Sequence, residues 1–259
     1  MYFYHHKRAS LVVLALLTGI GIIPGKQAWS SNFQVSPVKV SLSSQVSNQV
    51  LTLRNTSDET LRFQIKTYAW SQDNQGEMQL TPTEEIVAFP GLLSLNPGEE
   101  RRIRVGTLTP VSTVEKTYRI FVEELPPLKT PNQSNPGIKI LTKMGLPIFL
   151  QPNQQVVNGK IDNININKNR LVFNVKNTGN THFIAQIIRV KGTDITGKTV
   201  FNKERNGWYI LNGISQPYEL NISQPECSKT QTLLIEVKTE QKVLTEKLEM
   251  PTGACKNPK

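Results

Sequence analysis

Apolar residues in this chain recur at every second position, and that period sets the limits of its fold. Leu51 and Leu53 share one face of residues 50–54, and Leu61, Phe63 and Ile65 share one face of the next run. Ile103 and Val105 alternate with Arg102 and Arg104, and further alternating runs lie at 118–125, 138–148, 171–176, 183–190 and 233–237. A period of two is that of a strand with one buried face, and no helical stripe of three turns competes with it. Turn-forming clusters separate the runs: 55–58, 73–76, 96–98 and 178–180. Short strands with such punctuation predict an all-β fold built of sandwiches.

An internal repeat predicts two domains. Arg54-Asn55-Thr56 followed by Gln64-Ile65 is matched by Lys176-Asn177-Thr178 followed by Gln186-Ile187, each pair 122 residues apart. A Leu95-Asn96 turn has its counterpart at Leu211-Asn212. Two sandwiches of roughly 110 residues account for the length, as ordinary domain sizes allow. The boundary falls in the polar stretch 151–155, giving domains at 31–152 and 153–259.

The first thirty residues have the composition of a secretory signal peptide. Lys7 and Arg8 precede an apolar run from Leu11 to Ile23, Pro24-Gly25 ends it, and Ala28-Trp29-Ser30 has small residues where cleavage needs them. The alternative is an uncleaved membrane anchor, but 13 residues fall short of the ~20 needed to span. Cleavage after Ser30 removes Lys7, Arg8 and Lys26 and takes the net charge from +10 to +7. The remaining cations are scattered, with no run of five or six, so nucleic acid is not an expected partner; nor is stable membrane insertion. Cys227 and Cys255 lie 28 residues apart, and an exported chain with two cysteines and no spare is expected to join them. Cleavage also removes His5 and His6 and leaves His182 alone. A multi-histidine metal site is then excluded, no cofactor is indicated, and a secreted hydrolase lacks a nucleophile motif to go with the single histidine. The lone His182 follows a turn and is expected in solvent, whereas Trp70, Phe173 and Trp208 are expected as core anchors.

The most informative stretch is 118–152. An alternating strand ends in Glu123-Glu124-Leu125-Pro126-Pro127, a polar proline-rich loop follows, and a second strand runs from Ile138 to Phe149. Positions 138, 140, 142, 144 and 146 are Ile, Ile, Thr, Met and Leu, while 139 and 143 are lysines. The apolar row either packs into its own core or is partly exposed at a sheet edge for a partner.

Residues 33–152 resemble the N-terminal domain of the PapD-like periplasmic chaperones that assemble pili and other surface fibres. The resemblance is carried by Val35-Ser36-Pro37-Val38-Lys39-Val40, by Leu95-Asn96-Pro97-Gly98-Glu99, by the Glu-Leu-Pro-Pro ending, and by Leu146-Pro147-Ile148-Phe149-Leu150-Gln151-Pro152. Residues 153–259 resemble the family's second domain more weakly, through Asn177-Thr178-Gly179-Asn180 and Gly207-Trp208-Tyr209-Ile210-Leu211. The resemblance implies two immunoglobulin-like β-sandwich domains in a boomerang arrangement. It implies a non-enzymatic periplasmic chaperone whose partners are fibre subunits and an outer-membrane usher, and which donates an edge strand to a subunit's incomplete sandwich. It also implies a cis peptide near Phe89-Pro90.

Carried over by position, the donor row falls on Ile138, Ile140, Thr142 and Met144. The family anchors the subunit's terminal carboxylate with two basic residues. The first maps to Lys39; the second position is Pro147, a departure. If 118–125 pairs antiparallel with 138–148, Arg119 lies about opposite Pro147. Arg119 is then either the replacement anchor beside Lys39 or an ordinary surface arginine. Leu-Pro before Ile-Phe, with Tyr118-Arg119 opening the earlier strand, resembles the divergent, archaic branch of the family. The competing functional class is an extracellular two-domain adhesion or receptor-type binding module, which would bind without depending on the 138–144 row.

Overall fold

A computed structural model of the chain describes residues 32–128, 140–167, 169–251 and 255. The predicted signal peptide (1–30) and Ile138 lie outside the described residues. Residues 33–259 form one compact unit containing two β domains. The first holds β1 (Phe33–Ser36), β2 (Val40–Leu42), β3 (Asn48–Asn55), β4 (Leu61–Gln72), β5 (Met78–Pro82), β6 (Ile86–Phe89), β7 (Leu92–Leu95), β8 (Glu100–Thr107), β9 (Lys116–Leu125) and β10 (Lys143–Leu150). One sheet has the order β1-β3-β8-β6; the other has β2-β10-β9-β4-β5, with β7 also on β4. Phe33, Leu53, Phe63, Ile103, Ile120 and Ile148 fill the space between them.

The second domain holds β11 (Gly159–Asn167), β12 (Arg170–Asn177), β13 (Phe183–Ile184), β14 (Ile187–Thr193), β15 (Thr199–Asn206), β16 (Tyr209–Ile210), β17 (Ser215–Asn221), α1 (Gln224–Lys229), β18 (Thr232–Lys238) and β19 (Val243–Glu249). Its sheets are β11-β12-β17, β13-β16 and β15-β14-β18-β19, closed over Phe173, Val175, Ile188, Val190 and Ile235. Cys227 and Cys255 form a disulfide that ties the C-terminal tail to α1. No helix among the described residues is long and apolar enough to cross a membrane.

The repeat read from sequence is a repeat of hydrogen bonding. The buried Asn55 amide donates to the carbonyls of Glu59 and Leu95, and its oxygen accepts from Ser57 N–H. Asn177 does the same with Thr181, Ile210 and Gly179. One side chain thereby satisfies three backbone groups at each strand-to-strand turn, which a sandwich needs because buried carbonyls cannot be left open. The partner of Leu95 is Ile210, one residue before the expected Leu211. Leu211 instead packs on Trp70 and Phe149, where the two domains meet. The 96–99 turn has Pro97 followed by Gly98 at φ 74°, a conformation that glycine adopts without penalty. The Ser36–Pro37 and Phe89–Pro90 peptide bonds are cis.

Three expectations are corrected. The run 138–148 enters the sheet only at Lys143, so the hairpin is shorter than its alternation suggested. Trp208 is 54% exposed and no core anchor: it lies just before β16, whose Ile210 enters the second domain's core and whose Tyr209 packs with Trp70 and Phe149 at the domain junction. The His182 side chain is only 11% exposed: its turn abuts the first domain, where the ring stacks on Phe149 at 3.6 Å.

Candidate functional site

The register of β9 and β10 puts Arg119 directly opposite Pro147. The parallel strand β2 joins β10 only at Ile148–Leu150, with Val40 beside Ile148, so Lys39 comes level with Pro147 just outside the strand. Lys39, Pro147 and Arg119 therefore form one row across the sheet, on the face opposite the core, because Val40, Ile148 and Tyr118 face inward. Tyr68 on β4 extends the row, since it pairs with Arg119.

Arg119 is 6% exposed although it lies on the outward face. The second domain covers it. Its guanidinium carbon lies 4.1 Å from the Trp70 ring centroid, 5.9 Å from that of Trp208 and 6.0 Å from that of Tyr209. Its Nε and Nη2 are buried and, among the described residues, hydrogen-bond to nothing. Burial is the main influence on its pKa and lowers it, against an opposing charge interaction with Tyr209. A guanidinium stays protonated under such pressure, so the cost is borne as destabilisation. The aromatic faces offset part of that cost. The unpartnered Nε–Nη2 edge is the side of arginine that offers two parallel donors to a carboxylate.

Beside this group β10 has a free edge. β9 pairs with it from Lys143 to Leu150, but on the other side β2 leaves Lys143–Pro147 without a neighbour among the described strands. Glu124 N–H donates to Thr142 O at 2.9 Å. Bonded and non-bonded pairs alternate in an antiparallel ladder, so the backbone groups of Lys143, Gly145 and Pro147 point away from β9 to the open edge. Pro147 is tolerated for this reason: its missing N–H would have faced outward and costs the β9–β10 ladder nothing.

The predicted donor row divides along its length. Met144 packs on the first domain's core, Thr142 is half-buried, and Ile140 is 79% exposed. Towards the open end the row thus leaves its own core and faces solvent. On the other face Lys143 pairs with Glu123 at 2.6 Å and lies over the Phe121 ring. Gly145 leaves room for that ring, since an added Cβ would stand 2.7 Å from Phe121 Cε1. Glu123 also meets Lys66, while Glu124 turns inward and accepts from Thr142 N–H, so the two acids share no site.

The domain junction fixes this arrangement. Glu115, just before β9, accepts from His182 N–H at 2.8 Å and lies 2.7 Å from His182 Nδ1. With a carboxylate at that distance, Nδ1 carries the proton. Gln72 at the end of β4 donates to Tyr209 O and accepts from Leu211 N–H. Trp70, Phe149 and Leu211 close the apolar part of the contact. Sequence reasoning missed Trp70, Tyr209 and Glu115 as parts of the site. The available signal was the opposite parity of Trp70 to the core residues Phe63 and Ile65. No local pattern pointed to Glu115.

Comparison with known proteins follows the same lines. Residues 32–155 match the family described as pili and flagellar-assembly chaperone, PapD N-terminal domain. Curated protein sequences gave no significant match. Among solved structures the fold is similar to the class 5 fimbriae chaperone CfaA, at 16% identity and TM-score 0.57, over 85% of this chain and 100% of that one. It is similar to the chaperone–tip subunit pre-assembly complex CsuC–CsuE of the archaic Csu pili of Acinetobacter baumannii, at 16% and 0.54, over 83% and 97%. The E. coli chaperone DraB follows at 16% and 0.51, over 85% and 96%. Residues 32–155 thus carry the PapD N-terminal domain of pilus assembly chaperones, and the two β domains together have the fold of the solved fimbrial chaperones.

Proposed function

We propose that this chain holds a pilus-type fibre subunit by lending it the open edge of β10, and that Arg119, with Lys39 beside it, grips the subunit's terminal carboxylate. The observation that carries the reading is the buried Arg119 edge with two unpartnered donors, one row from an unpaired strand edge. A partner strand running alongside β10 would take backbone hydrogen bonds from Lys143 and Gly145. It would cover Ile140, worth about 1.5–3 kcal/mol of apolar burial. Its chain end would meet the row of Pro147, where β10 offers no donor and β2 closes the edge. Arg119 takes the carboxylate there. Nothing covalent and no nucleotide is required.

The same reading puts the chain in the periplasm, exported by a cleaved leader at 1–30, with an outer-membrane usher as the receiver of the complex. The domain boundary at 152/153 suits it, since β10 ends at Leu150 and β11 begins at Gly159. So does kinship with the archaic branch, where Pro147 replaces the usual second basic residue. A two-domain adhesion module would have no use for a buried carboxylate grip beside a free edge. The test is co-expression with a fibre subunit from the same genome. Reversing both charges, Lys39→Glu with Arg119→Glu, is expected to abolish co-purification of the subunit. An unchanged yield would contradict the anchor.

A further inference from the structure

We infer that Trp208 reads the side chain of the partner's last residue and favours a large apolar or aromatic one. This rests on the reading of Arg119 as the carboxylate anchor and adds a specificity to it. Of the two tryptophans among the described residues, Trp70 is buried while Trp208 is 54% exposed and stands beside the anchor. Its position is fixed: Ala185 N–H donates to Trp208 O at 3.0 Å, and its ring meets that of Tyr209 edge-on, at 5.4 Å and 85°. Its ring centroid is 5.9 Å from the Arg119 guanidinium carbon. A carboxylate held by two parallel N–H bonds has its carbon roughly 4 Å from that guanidinium carbon. The Cβ of the same residue follows roughly 2.5 Å further along the chain. Both lengths start from the same guanidinium carbon, so the last side chain of a bound strand comes within reach of the exposed indole when it leaves the anchor on the Trp208 side.

The chemistry there selects an apolar end. Tyr209 and Trp208 present ring surface, and the residue opposite Arg119 is Pro147 rather than a second cation. A terminal residue with a broad apolar side chain covers Trp208, and glycine leaves it wet. Aromatic pairs add enough beyond plain burial that the preference should be about three- to tenfold in Kd.

The test uses the purified chain and four synthetic ten-residue peptides of one alternating apolar sequence. Three have a free carboxylate and end in Phe, Leu or Gly; the fourth is the Phe peptide as its terminal amide. Titration is followed by calorimetry and by tryptophan fluorescence. The Phe and Leu acids are expected to bind about three- to tenfold more tightly than the Gly acid and to shift the emission of Trp208 to shorter wavelength. Trp208→Ala is expected to shrink the Phe/Gly ratio to under about twofold, and Trp208→Phe to restore most of it. Equal binding of the Phe and Gly acids, or equal weakening of both by Trp208→Ala, overturns the role of Trp208 alone. Equal binding of the Phe acid and its amide overturns the anchor beneath it, and the inference with it.

Discussion

A guanidinium with two buried, unpartnered N–H groups weakens the chain that carries it. Arg119 is such a group, and the aromatic rings around it compensate only in part. A stability cost retained at one residue belongs with a binding role, since replacement by an apolar side chain of similar length would remove it. Arg119→Met is accordingly expected to raise the urea-unfolding stability of the free chain by about 1 kcal/mol and to abolish subunit capture. A loss of stability would mean that the arginine is a structural member of the domain junction. The position of Arg119 opposite Pro147 was legible from sequence, because an antiparallel hairpin fixes sums of residue numbers. Its burial was not. Of the rings around it, Trp70 is on the same domain, but Trp208 and Tyr209 lie some ninety positions away on the other, where no local pattern reaches.

Among the elements, β10 combines an inward row, an outward row and one unpaired edge. Its apolar alternation was read correctly from sequence but over too great a length, since alternation marks a face and not the presence of a neighbouring strand. Ile140 is where the difference matters, as it continues the core row past the last paired residue. Ile140→Lys is expected to abolish rescue of a co-expressed subunit from degradation. Ile195→Lys, at the 87% exposed hairpin tip of the second domain, is expected to leave rescue intact. Equal effects of the two would deny β10 any special part. The short helix α1 illustrates local legibility of another kind. Ser223 accepts from Glu226 N–H, and the Glu226 carboxylate accepts from Ser223 N–H and Lys203. The lysine chiefly holds the Glu226 pKa down at about 2, below its ordinary 4.5. A carboxyl depressed on folding stabilises above its unfolded value, and the gain is lost as pH falls through the folded one. The urea midpoint is therefore expected to fall between pH 4.5 and about 2 with a component that Glu226→Gln removes. An identical pH profile in the variant would contradict the pairing.

At the scale of the whole molecule, the two domains are joined by side chains that the sequence presented as unrelated. The Asn55 and Asn177 turns showed the duplication plainly, because each copy must satisfy the same buried carbonyls by the same local means. Glu115 and His182, 67 residues apart, have no such counterpart in sequence. Reading His182 as solvated failed because its surroundings are supplied by the other domain. His182→Ala removes the ring's hydrogen bond to Glu115 and its stack on Phe149 but keeps the backbone N–H bond, and is expected to cost about 1–2 kcal/mol in urea unfolding. Glu115→Gln, which removes the charge but keeps a hydrogen-bonding group, is expected to cost less. Equal costs would show that the charge of Glu115 contributes nothing there.

The central claim is that the free edge of β10 becomes an interior strand when a subunit binds. Amide hydrogen exchange on the complex with its subunit tests it most directly. Protection is expected to rise sharply at Lys143 and Gly145, whose N–H groups point to the open edge, and to change little on the β6 and β15 edges. Unchanged exchange at Lys143 and Gly145 in a stable complex would contradict the account.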